Sequence, residues 1–316
     1  VTKQIMSTRT SGGYDDDAAW ASYLKGQGKT PESLREETIR SLAGNYLLSK
    51  AVKEYNITVS DDDVNESFEN AASNYGGTEA MMSLLSQMGY TEDSYKEQIK
   101  SSLEQQKLKE EVAPEKEPTD DEVLTYFNDN VSTYNDARRS SNLLIKVDSD
   151  ASDEDKEKAK ATAQEALDKI NSSELSFEDA VEEYSEDTGS KDDGGDVGWD
   201  KLTSFVTEYQ DALSALSKDQ ISGIVETTYG YHIIKCTDYF HVDNQVDDIN
   251  QVPKDIKKYV SNVVKTRAAS TAYSEWLEQY KKDADITVNP MPKDVPYNVS
   301  LKGVTKSSTD DSSTTE

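Results

Sequence analysis

Of 316 residues, one is cysteine, Cys236, and two are histidine, His232 and His241. No internal disulfide can form. A thiolate zinc site is excluded, and so are histidine-rich metal sites and clustered imidazole relays. Cations are scarce as well: Lys+Arg is 34 against 62 Asp+Glu, a formal net charge of −28. A nucleic-acid binder needs lysines and arginines to neutralise phosphates, so no nucleic-acid partner is expected. Docking on anionic lipid through protein charge drops out with it. Apolar residues are 34% of the chain, low for a compact enzyme, so long solvated helices or an unstructured part are expected. No apolar run approaches the roughly 18 residues of a membrane span. The chain starts at Val1 without Met and shows no basic-then-apolar leader, which points to a trimmed chain and leaves its compartment open. The remaining chemistry must run on carboxylates, hydroxyls, amides and at most one or two imidazoles, with no cofactor and no metal.

Punctuation and periodicity divide what is there. Residues 1–29 are polar with a few aromatics and read as loosely helical. Thr30-Pro31 is a cap followed by proline at the first helical position, and Ile39, Leu42, Ala43, Tyr46 and Leu47 recur at helical spacing behind it. Ser60 with Asp63, and Thr119 with Glu122, have the form of capping boxes. Thr91 can cap another helix, while Gly76-Gly77 and Gly89 bracket a short one carrying Met81, Met82 and Met88. Those methionines read first as core filling and second as a soft surface that repacks around unfolded chains. Residues 30–135 are therefore an all-helical unit. Near residue 138 the pattern changes: Ser141–Val147 reads as a strand, 152–171 and the segment after Ser176 as helices, GGDVGW (194–199) as a turn. A helical stretch with Phe205 and Tyr209 follows, then strands at Ile224-Val225 and His232–Cys236. That is a small α+β domain. Helical spacing returns over 253–282, as though this segment packs back on the first unit and leaves the α+β domain as an insertion. The end of the chain, with Pro290, Pro292 and Pro296 and then SSTDDSSTTE, is too polar to order itself, and 290–316 reads as a disordered tail.

YSEDTGSKDDGGDVGW (184–199), FVTEYQDAL (205–213) and TTYGYHIIK (227–235) resemble, in order and spacing, the parvulin-type peptidyl-prolyl isomerase family over about residues 138–240. The flanking KEYNITVSDDDV (53–64) and GYTEDSYKEQIK (89–100) resemble the helical chaperone region of the PrsA/SurA-like foldases. The resemblance implies an α+β fold: a parvulin-like domain, a small antiparallel sheet with surrounding helices, inserted in an all-helical chaperone domain. Its parts would be residues 1–137 of the chaperone domain, the isomerase domain 138–241, a returning helix 242–289 and the tail 290–316. It implies unfolded or newly secreted polypeptides with X–Pro bonds as partners, at the extracellular face of a Gram-positive-like membrane or secreted. It allows a homodimer through the helical regions and a lipid anchor outside this chain.

The same resemblance assigns roles. Val197, Phe205 and Tyr209 match the apolar positions lining a proline pocket. His232 matches the histidine opening the last strand, Asp187 the Cys-or-Asp position facing the amide, and Thr227 a hydroxyl bonded near the buried histidine. One position departs: the family's first strand usually carries a second histidine, and here Asn142 stands in Ser141-Asn142-Leu143-Leu144. Asparagine can donate and accept, so it can bond His232, but it cannot carry a proton. Tyr209, where phenylalanine is usual, is expected to add a hydroxyl at the pocket edge.

Each residue taken singly has a plainer reading. His232 between Tyr231 and Ile233 suits a satisfied core histidine, and Phe205 and Tyr209 four apart suit ordinary packing. Cys236 suits a buried strand thiol with nothing basic beside it. The acid runs Asp15–Asp17, Asp61–Asp63 and Asp192-Asp193 lack the alternate spacing and glycine of a calcium loop and read as solvated surface. Three functions remain: a foldase that binds and isomerises, a holdase whose parvulin fold only docks clients, and a surface protein whose acidic exterior meets wall or host partners.

Overall fold

The structure, a computed structural model, describes residues 1–304. The expected Ser/Thr/Asp tail from residue 307 lies outside the described residues. The chain divides into two compact units, one from Val1–Glu115 and the chain from Ala269 onward, the other Lys116–Ala268.

The first unit is helical: α1 (Thr2–Ser11), α2 (Asp17–Gly26), α3 (Pro31–Glu54), α4 (Asp61–Ser73), α5 (Thr78–Gln87) and α6 (Glu92–Val112). Local chemistry sets the helix starts. Thr30 and Ser33, Ser60 and Asp63, and Thr91 and Ser94 form reciprocal capping boxes, each satisfying two backbone donors that the first turn leaves free. The apolar stripes are narrow, and the unit buries them in three small clusters. Trp276 and Tyr280 of the last helix, α12 (Lys254–Asp283), pack with Ala51, Val52 and Leu108. The returning helix thus closes on the first unit.

Two expectations fail here. Residues 1–29 are not loose: α1 and α2 bury Ile5, Trp20 and Leu24. Residues 290–304, expected to be disordered, pack on them. Tyr297 is 1% exposed, with Met291, Val295, Val299 and Leu301 around it. Composition undercounts such a segment, because the aromatic wall it needs lies almost 280 residues away in sequence, at Trp20.

The second unit holds α7 (Asp120–Asp129), α8 (Val131–Tyr134), β1 (Ala137–Lys146), α9 (Asp153–Asn171), α10 (Phe177–Tyr184), β2 (Asp196–Trp199), α11 (Thr207–Ser214), β3 (Val225–Thr227), β4 (Gly230–Phe240) and the start of α12. The strands form one antiparallel sheet in the order β2-β1-β4-β3. β2 lies where the sequence reading had only a turn. It is short, and Gly198 at φ 77° breaks the alternation that would mark a strand. Pleating splits the sheet's side chains between two faces. Leu143, Ile145, Tyr231 and Ile233 face α9 and α10, while Ile234 and Cys236 meet Tyr209 and Leu213 of α11. The unit's borders differ from the expected 137/138 and 241/242. Phe127, Tyr134, Ile256 and Val260 share one core with Trp199 and Phe240, so α7, α8 and the first half of α12 belong with the sheet. Full burial of a side chain such as Phe127 or Ile256 is worth about 1.5–3 kcal/mol.

Candidate active site

The α11 face of the sheet carries the polar group that the sequence singled out. Asn142 on β1 lies opposite Ile234, two residues beyond His232 on β4. The two are therefore diagonal neighbours on one face, within reach of each other's side chains. Asn142 Oδ1 lies 2.9 Å from His232 Nδ1, and Thr227 Oγ1 lies 2.8 Å from His232 Nε2. Asn142 Nδ2 donates to Asp187 Oδ2 at 3.0 Å. Thr227, His232, Asn142 and Asp187 thus form one unbroken line of side chains. Asn142 and His232 are each 5% exposed.

The line has a direction. Asp187 also accepts from Ser190 Oγ at 2.6 Å and from the Gly189 amide at 3.1 Å. Burial works to raise its pKa, but the hydrogen bonds from Ser190, Gly189 and Asn142 outweigh it and hold the carboxyl below its ordinary value. An ionised carboxylate only accepts, so Asn142 must turn its NH2 toward Asp187 and its carbonyl toward His232. His232 therefore carries its proton on Nδ1. Thr227 Oγ1 accepts from the Tyr229 amide at 3.1 Å and donates to His232 Nε2. Every donor points toward Asp187. Burial pushes the His232 pKa down to about 4, against the pull of Asp187, so the ring is neutral at neutral pH.

Beside this line lie the three apolar residues. Tyr209 is buried, with Phe205 and Val197 half-buried against its cluster. The Phe205 and Tyr209 rings are 4.6 Å apart, and Tyr209 meets His232 edge-on at 5.5 Å. The structure brings all seven of the expected site residues into one region. Two readings change in detail. The Tyr209 hydroxyl is not at the pocket edge: it points into the sheet and pairs with Ser140 Oγ at 3.2 Å, and burial raises its pKa. Cys236 is a buried thiol whose pKa burial raises, but the positive charge of Arg138 lies near enough to oppose that rise, so its surroundings do contain a cationic side chain.

Three supporting residues escaped the sequence reading, and a fourth was read only as part of a turn. Ser190 and Ser185 hold the Asp187 loop; Ser185 Oγ accepts from the amides of Leu144 and Asp187 at 3.2 and 3.3 Å. The sequence signal for this loop is Asp187-Thr188-Gly189-Ser190, an aspartate folding back on the amide two residues on. Ser140 seats Tyr209 and has no such signal. Gly195 is the fourth. At φ 82° its carbonyl accepts from the Asn142 amide at 2.7 Å, and a Cβ there would come within 2.5 Å of the Asn142 carbonyl oxygen. Only glycine lets the chain pass this close to the residue at the middle of the line.

Known proteins resemble this chain along most of its length. Residues 143–238 match the PPIC-type PPIASE, or rotamase, domain, and residues 11–109 match the SurA-like N-terminal domain. Foldase protein PrsA 3 of Bacillus cereus is 31% identical over 263 residues, which cover 82% of this chain and 80% of that protein. Foldase protein PrsA of Staphylococcus aureus is 27% identical over 267 residues, covering 81% of this chain and 77% of its own. The crystal structure of PrsA from Bacillus subtilis aligns over 79% of this chain and 85% of that one, at 25% identity and a TM-score of 0.38.

Proposed function

The chain belongs to the PrsA foldase family, and on that premise we propose that it is an extracytoplasmic foldase acting on newly secreted polypeptides. Its helical unit holds unfolded clients, and its parvulin-type rotamase domain, a peptidyl-prolyl cis-trans isomerase, rotates their X–Pro bonds. Uncatalysed rotation crosses about 18–20 kcal/mol. No bond breaks, so neither nucleophile nor metal is required. Val197, Phe205 and Tyr209 seat the proline ring. This dry wall favours the twisted amide, which has lost conjugation and is less polar than the planar form. Asp187 faces the substrate carbonyl. Its charge repels the negative oxygen of the planar amide more than the less charged oxygen of the twisted one, which is differential stabilisation of the transition state. Asn142, His232 and Thr227 hold that carboxylate in place through fixed dipoles. No proton moves along the line, because an amide cannot pass one.

The observation that carries this reading is the unbroken Thr227–His232–Asn142–Asp187 line beside the apolar wall. NMR exchange on an X–Pro peptide with the full chain tests it. Phe205→Ala, with the fold intact, is expected to cut catalysed exchange by roughly ten- to hundredfold, the value of one buried ring. The Asn142 substitution favours a second reading, a holdase whose parvulin fold only docks clients. No catalysed exchange with any residue before proline, together with retained suppression of client aggregation, would select it. A homodimer through the helical regions and a lipid anchor outside this chain complete the proposal. Analytical ultracentrifugation tests the first, and metabolic labelling with a fatty acid in the native host tests the second.

A further inference from the structure

Residues 289–304 form neither helix nor strand, yet they are held at four points by side chains of the N-terminal helices. Arg35 Nη1 donates to the Asn289 carbonyl at 2.7 Å, Arg9 Nη1 to that of Pro296 at 2.8 Å, and Trp20 Nε1 to that of Tyr297 at 3.1 Å. Lys25 Nζ donates to the Val304 carbonyl. Between them a turn closed by the Asn298 amide on the Val295 carbonyl, at 3.0 Å, sets Pro296 and Tyr297 at its tip. The Tyr297 ring is buried beside Ile5, Trp20 and Leu24.

Main-chain carbonyls are the same in every polypeptide, so these four contacts read no sequence. The selectivity lies in one aromatic ring buried directly after a proline. The receptor also has bonds of its own, besides those to its occupant. Arg9 is 5% exposed, and its guanidinium is also tied to the Tyr14 and Asp15 carbonyls and the Asp17 carboxylate. Trp20 is stacked on Tyr23, with 5.3 Å between ring centres. Three of the four donors and this aromatic wall come from α1 and α2, and Arg35 from the start of α3. The occupant comes from the far end of the chain on a short, mostly exposed tether after α12.

We propose that the α1–α2 pocket is a binding site for a proline–aromatic turn of an unfolded polypeptide, and that residues 289–304 occupy it as an intramolecular competitor. The proposal rests on the reading that the helical unit holds unfolded clients, and it names where and by what feature. A short tether gives its own segment an effective concentration of about millimolar. A client must therefore be abundant, or offer several such turns, before it displaces the strap.

The test uses the full chain and its Tyr297→Ala variant, with fluorescence anisotropy of two labelled peptides. One spans residues 289–304, and the other is unrelated to this chain except for a Val-Pro-Tyr-Asn-Val core. Tyr297→Ala is expected to bind both about tenfold or more tightly than the native chain does, and a Tyr→Ala version of either peptide is expected not to bind. Failure of both peptides to bind a folded Tyr297→Ala chain overturns the proposal, and makes the segment a fixed wedge. Binding of the chain's own peptide but not the unrelated one overturns it also. So does a native dimer that Tyr297→Ala converts to a monomer in sedimentation, which would make the occupant a second copy's strap. If Tyr297→Ala loses its helicity, Val299→Ser and Leu301→Ser, at half-buried positions, carry the same expectation at smaller size, and no gain in either is fatal. X–Pro exchange on a short peptide, measured alongside, is expected to be unchanged in Tyr297→Ala. Its absence from the native chain would defeat the isomerase reading and leave the pocket untouched.

Discussion

The two units solve the problem of burial differently. The sheet-bearing unit gathers its apolar side chains into two broad clusters and a third under α11, with Phe127, Leu213, Ile233 and Ile256 fully enclosed. The helical unit splits its apolar side chains among three small clusters and leaves Tyr46, Tyr75, Leu84 and Met88 more than half exposed. The buried polar line needs the first arrangement. Three consecutive hydrogen bonds near 3 Å survive only where the backbone beneath them is locked by close packing. A surface that must accept many chains gains from the second, since loosely packed helices with exposed thioether and phenol groups can adapt to different partners.

The contrast can be broken most directly in the cores. Phe127→Ala is expected to cost the sheet-bearing unit about 3–5 kcal/mol, and Phe68→Ala less, because a small cluster collapses more readily around the hole. Urea melts check this: Trp199 reports the sheet-bearing unit, and Trp20 and Trp276 the helical one, once each is isolated by Trp→Phe replacement. Equal losses would sink the distinction.

Acid separates the units next, because both histidines lie in the sheet-bearing one. The folded His232 pKa, about 4, lies below its ordinary 6.5. The unfolded chain therefore takes up the proton first, and stability is lost as pH falls below about 6.5. From pH 7 to 5 the Trp199 transition should lose about 2 kcal/mol while the other barely moves. His241 has the opposite sign. Its hydrogen bond to Asp136 raises its pKa, so it stabilises at low pH and loses that effect as pH rises. His241→Gln should therefore steepen the acid loss. Asp187, with its lowered pKa, contributes only below this window.

Gly195→Ala sharpens the comparison within the site. A positive φ and a blocked approach to Asn142 should cost about 1–3 kcal/mol, and X–Pro exchange should fall further than that loss of stability explains. Retained exchange would show that the Asn142 backbone has room to move. Tyr46→Ser is the smallest change. At 69% exposure it should alter the helical unit's stability by less than about 0.5 kcal/mol, yet it should weaken suppression of client aggregation. A stability loss without a binding loss would make Tyr46 structural.

Helix starts were legible because they are local: Thr30, Ser60, Thr91 and Thr119 each announce themselves within four residues. Strands β1 and β4 were legible from their apolar runs, while β2 was not, since its identity depends on a partner strand more than fifty residues away. The seven candidate site residues were singled out through a resemblance to a family. Ser140, Ser185 and Ser190 were missed because serine is common, and its role appears only once its neighbours are placed. Likewise residues 290–304 have the composition of a tail, and only the wall offered by Trp20 and Ile5 orders them.

The sequence by itself determined the helices and their caps, the α+β character of the middle segment, and the absence of thiolate or histidine-cluster chemistry. Those follow from side-chain types and short spacings. The tertiary structure alone decided that Asn142 donates to Asp187 and accepts from His232, that the Tyr209 hydroxyl turns inward to Ser140, and that α1, α2 and residues 291–301 share one aromatic core. Each of these is a contact between residues far apart in sequence. Its strength depends on distance, direction and exclusion of water, which no local pattern encodes.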